Sequence, residues 1–92
     1  MAVKVQIPGP LRSLTAGAAE VEVEANDVAH LVAALSDRHP GFRERLLDAS
    51  GQLRNYVRVF VNDEDVRSLQ RQATPLKPGD VVAIVPAIAG GR

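Results

Sequence analysis

The chain has 92 residues, room for one hydrophobic core and too little for two. Its apolar fraction is 46% and its charged fraction 24%, the composition of a folded domain and not of a disordered one. Eleven basic residues balance eleven acidic ones, so the basic excess that nucleic acid selects is missing; with no cysteine, disulfides, thiolate metal sites and thiol nucleophiles are excluded as well.

Val3-Lys4-Val5-Gln6-Ile7 alternates apolar and polar, the period of a half-buried strand, and Pro8-Gly9-Pro10 ends it. Residues 11–19 read as a turn or loop containing Gly17. Glu20-Val21-Glu22-Val23-Glu24 alternates again with its valines inward, which predicts an antiparallel hairpin with the first strand. The period then changes. Val28, Leu31, Val32 and Leu35 form one helical stripe, with Asn26 or Asp27 as cap, Arg38 and His39 in the last turn and Pro40-Gly41 as the stop. Residues 42–47 add a short helical turn that tucks Phe42, Leu46 and Leu47 under the core. Tyr56 to Val61 is the most strand-like stretch, rich in β-branched and aromatic residues. Asn62-Asp63 begins a turn, and residues 64–69 predict a short strand. A tight turn at residues 76–80 leads into a last strand from Val81 to Val85, closed by Pro86.

The order is hairpin, helix, then two or more strands, and the single main helix has to cover the inner face of the sheet. The last strand reaches the centre by lying parallel to the first. This predicts an α+β fold, a β-grasp or ubiquitin-like roll, with a mixed sheet of four to five strands. Residues 1–86 form that domain and residues 87–92 a flexible C-terminal tail.

Catalysis within the chain is not expected. His30 and His39 stand nine apart with no triad or metal context, and Asp63-Glu64-Asp65 lacks a glycine-punctuated ligand loop. Gly90-Gly91 precedes no helix and so cannot cradle a phosphate. It suits another task. Glycine has no Cβ, so an extended Gly-Gly can thread a narrow channel and bring a carboxylate to a partner's active site. Strand alternation adds a face to that arm. If Val57, Val59 and Val61 point inward, then Tyr56, Arg58 and Phe60 point outward; Val82 and Ile84 inward leave Val81, Ala83 and Val85 beside Phe60. An outward apolar strip of this kind marks an interface, with Phe60, Val81, Ala83, Val85 and Arg58 as its residues. The longest apolar run, residues 81–89, holds a proline and is far short of the roughly 20 residues of a membrane span. No signal-peptide stretch follows Met1, so the expected compartment is the cytoplasm, with no membrane and no nucleic acid among the partners.

Three stretches together resemble a known family: residues 56–67 (YVRVFVNDEDVR), residues 74–87 (TPLKPGDVVAIVPA) and Gly90-Gly91. The segment RHPGFRERL at residues 38–46 fits the same pattern. The chain is similar to the ubiquitin-like sulfur carriers of the MoaD/ThiS kind, and the long first loop and the NDEDVR segment look most like members from cysteine pathways. The resemblance implies a protein cosubstrate that binds no cofactor itself. An E1-like enzyme using ATP adenylates the terminal glycine carboxylate, which then becomes a thiocarboxylate. A downstream synthase accepts the sulfur, for cysteine or for a sulfur-containing cofactor such as molybdopterin. Carried over, Gly91 bears the sulfur and Gly90 is its flexible neighbour. One departure stands out: Arg92 follows Gly91, so the resemblance implies a processing protease that removes it. Two alternatives share the fold: a ubiquitin-like modifier joined to lysines through Gly91, and a non-reactive β-grasp interaction module.

Overall fold

A computed structural model describes residues 2–86. The first alternating segment is strand β1, Val3–Gln6, and the second is β2, Glu20–Val23. They pair antiparallel, with Val3 opposite Val23 and Val5 opposite Val21, so all four valines share the covered side. Helix α1 spans Val28–Arg38, and Val28, Leu31, Val32 and Leu35 are its buried stripe. Asp27 is the cap: its carboxylate accepts from the His30 N–H at 2.8 Å. An isolated helix of this length is marginal in water, and burial of those four side chains, each worth about 1.5–3 kcal/mol, holds it in place. Helix α2, Phe42–Leu46, buries Phe42 and Leu46 completely, as its spacing predicts, while Leu47 packs only partly.

Strand β3 is Val57–Val61, β4 is Glu64–Asp65 and β5 is Val81–Pro86. The sheet order is β2-β1-β5-β3-β4, with β1 and β5 parallel and every other pair antiparallel. The last strand therefore lies at the centre, as expected, and Val5, Val59, Val82 and Ile84 join the helix stripe in one core. This is the five-stranded mixed sheet and covering helix of a β-grasp roll.

Two segments differ from their sequence reading. Residues 9–15 are a 3-10 helix and not a plain loop. The fixed φ of Pro10 suits a first helical turn, Leu11 and Thr15 are buried, and the Thr15 hydroxyl lies 2.8 Å from the Ala18 carbonyl. The predicted strand at residues 64–69 stops after two residues, because the Asp65 carboxylate accepts from the Arg67 N–H and starts a 3-10 turn at Val66–Ser68. The hairpin turn before β4 has positive φ at both Asn62 (49°) and Asp63 (74°), the shape whose twist matches a two-residue hairpin. Among the described residues no helix is long and apolar enough to cross a membrane.

Candidate functional site

Burial alternates cleanly along the two central strands. Val57, Val59 and Val61 are buried and Arg58 is exposed between them; Val82 and Ile84 are buried and Val85 is 44% exposed. The five residues that sequence alternation places outward thus share one face. Register sets them side by side: Arg58 opposite Val85, and Phe60 opposite Ala83. Val81, Ala83 and Phe60 are half-buried by one another and by their neighbours. Tyr56, just before β3, is 45% exposed.

Strand β1 adds residues that one strand's pattern could not supply. Its parallel register puts Lys4 beside Val81 and Gln6 beside Ala83, and β2 follows with Glu22 beside Lys4 and Glu20 beside Gln6. The face is an apolar strip along β5 with charged flanks. Arg58 lies 3.9 Å from the Asp65 carboxylate with a side chain 60% exposed, a surface pair worth about 0–1 kcal/mol. Arg58 therefore remains available to a partner.

Pro86, at the end of β5, sits opposite Val57. The expected tail at residues 87–92, with Gly90, Gly91 and Arg92, lies outside the described residues.

The histidines have local roles. His30 Nδ1 is 3.2 Å from the carboxylate of Asp27, on the helix it helps to start, and the His39 ring meets Phe42 edge-on at 6.1 Å. Among the described residues no group of three or more His, Asp or Glu side chains is placed to hold a metal ion. A hollow of about 650 Å³ lies away from the strip, between α1 and the turn at residues 76–78. It is broad and open, and Glu24, His30 and Asp37 line it without forming a catalytic arrangement.

Comparison with known proteins places this architecture. Residues 5–91 match the model of the ThiS family. The chain belongs to the ThiS family. Sulfur carrier protein CysO of Mycobacterium tuberculosis is 41% identical over 93 residues, covering 99% of this chain and all of that protein. The crystal structure of the Amycolatopsis orientalis BexX/CysO complex contains a chain that superposes with a TM-score of 0.91 at 39% identity, covering 98% of this chain and all of that one. Small archaeal modifier protein 3 of Haloferax volcanii is 33% identical over 64 residues, 70% of this chain and 68% of that protein. This ThiS-family chain is accordingly a sulfur carrier, a protein cosubstrate and not a catalyst.

Proposed function

We propose that this carrier holds sulfur as a thiocarboxylate on Gly91. The reading rests on the family match, which runs through Gly91 and stops short of Arg92. While Arg92 is attached, the Gly91 carbonyl is an amide and cannot be activated. Hydrolysis of the Gly91–Arg92 bond by a processing protease frees the carboxylate. In an E1-like enzyme that carboxylate attacks the α-phosphate of ATP, forming an acyl-adenylate and releasing pyrophosphate. A sulfur nucleophile then displaces AMP and leaves the thiocarboxylate. A carboxylate is a poor electrophile, and the AMP leaving group makes the carbonyl attackable. A downstream synthase takes the sulfur into cysteine or another sulfur-containing product, such as molybdopterin. ATP is consumed by the activating enzyme, and the carrier works in the cytoplasm, where ATP is available.

The strip of Phe60, Val81, Ala83 and Val85, with Arg58 at its edge, docks these enzymes. Val81, Ala83 and Val85 lie on the strand that leads to Gly90 and Gly91, with Phe60 and Arg58 on the strand beside it, so a partner seated there is close to the start of the tail. The full-length likeness to a CysO chain solved in complex with BexX supports partner docking.

The test compares the full chain with a chain ending at Gly91, each with the E1-like enzyme and ATP. The shortened chain releases pyrophosphate and gains a sulfur-for-oxygen mass increase; the full chain does neither. Equal pyrophosphate release from both would refute the processing step. In the shortened chain, Gly91→Val stops activation without lowering the melting temperature, since a Cβ crowds a channel built for glycine.

A second reading is conjugation through Gly91 to lysines of other proteins, favoured by the likeness to small archaeal modifier protein 3. Branched Gly-Gly adducts on host lysines would support it.

A further inference from the structure

The outer face of the sheet is not flat. On the central strand the residue between Val81 and Val85 is Ala83, and its methyl group lies between Gln6 of β1 and Phe60 of β3. A side chain this short among longer ones leaves a hollow of about 320 Å³, lined by Gln6, Asn62, Asp63, Val81 and Ala83. Its floor is apolar and its wall polar. The wall amide is already committed within the protein: Asn62 Oδ1 accepts from the Val81 N–H at 3.0 Å, and Asn62 Nδ2 donates to the Asp80 carboxylate at 3.0 Å. Those bonds fix the left-handed turn and hold Asp63 at the rim.

The charges around the hollow have one sign on the hairpin side. Asp63 and Glu64 are both exposed, and Asp63 makes no ion pair among the described residues. The nearest outward cations face acids of their own: Lys4 stands beside Glu22, and Arg58 is 3.9 Å from Asp65. A small apolar floor with a carboxylate at its lip has the form of a pocket for an interface anchor.

We infer that the hollow at Ala83 seats one aliphatic or aromatic side chain of the activating enzyme, flanked there by a lysine or arginine that pairs with Asp63. The inference rests on the sheet face being the docking face. The volume is at the lower end for small-molecule sites and suits a single side chain better than a whole helix or peptide. Pro86 lies three positions beyond Ala83, about 10 Å along the strand, so an anchor seated here sets how far the tail extends into the partner.

The experiment uses the chain ending at Gly91 with the E1-like adenylating enzyme of the same host. It measures Kd by calorimetry and pyrophosphate release with saturating ATP. Ala83→Leu fills the hollow and should raise Kd about tenfold or more, equivalent to about 1.4 kcal/mol. Asp63→Lys should raise Kd about fivefold, mostly by slowing association, and the effect should shrink in high salt. In both, pyrophosphate release at limiting carrier should fall in step with the weaker binding. Phe60→Ala is the control for the face itself. If Phe60→Ala weakens binding while Ala83→Leu and Asp63→Lys bind like the parent, the hollow is not the seat and the inference falls with the face intact. If all three bind like the parent, the docking face is refuted too. Weakening by Ala83→Leu alone overturns the cation and keeps the apolar seat. Should Ala83→Leu lower the melting temperature, Gln6→Trp fills the same hollow from its exposed wall and is held to the same outcomes.

Discussion

Phe60 has the largest outward side chain on the described strands, and its half-burial comes from neighbours on the outer face, not from the core. Its removal should therefore separate binding from folding. Phe60→Ala is expected to weaken binding to the activating enzyme by about 1–3 kcal/mol, as for an aromatic interface anchor, with the melting temperature nearly unchanged. Unfolding with affinity retained would mean that the two faces of the sheet have been interchanged. Gly41 shows the opposite dependence. It joins α1 to α2 at φ 109°, and a Cβ there would come within 2.9 Å of Leu14 Cδ2. Leu14 can swing away, but the left-handed backbone stays strained for any other residue. Gly41→Ala should cost more than about 1 kcal/mol in urea unfolding, without any change in pyrophosphate release at saturating carrier. An unchanged unfolding midpoint would contradict the strain.

Between α2 and β3 the chain has almost no regular structure, yet side chains pin it. Asp48 accepts from the Ser50 hydroxyl at 2.7 Å and from the N–H groups of Ser50 and Gln52; Gln72 accepts from the Leu53 N–H and donates to the Gly51 carbonyl. The Ser50 hydroxyl first, and then the Gln52 N–H, hold the Asp48 carboxyl below its usual value. A carboxylate whose folded value is depressed supports the fold above its unfolded value, and that support disappears as pH falls through the folded one. The amide resonances of Ser50 and Gln52 should therefore keep their neutral-pH positions through the ordinary carboxylate range and move only at more acidic pH. A midpoint at or above the usual aspartate value would show that these bonds do not form in solution. At this scale sequence patterns were readable only where a period existed. The helix stripe and the strand alternations gave α1, β1, β2, β3 and β5 to within a residue or two. The 3-10 helix at residues 9–15 has no apolar period, and its buried Leu11 joins a core built from residues along the whole chain. Likewise β4 is cut short by a side-chain bond that no strand pattern encodes.

Across the whole molecule, the outward set of Arg58, Phe60, Val81, Ala83 and Val85 was legible because alternation is local to each strand. The contribution of β1 was not, since Lys4 and Gln6 join the face only through a parallel pairing across nearly the full chain. The hollow at Ala83 was hidden for the same reason: its walls come from β1, β5 and the hairpin turn, three places far apart in sequence. The role proposed for Gly91 rests on residue chemistry and family resemblance, and no fold-level pattern would have supplied it.

The central position of β5 also governs when the protein can fold. Lys4 pairs with Val81, so the middle of the sheet stays open until residues 81–86 have left the ribosome. Pairings of such long sequence separation are slow to form and cannot form early. A nascent or truncated chain without β5 lacks most of the strip proposed for docking and the glycines that follow it. The segment that completes the core is contiguous with the one proposed to carry sulfur, so an activating enzyme that recognises the strip would meet only chains that have finished folding.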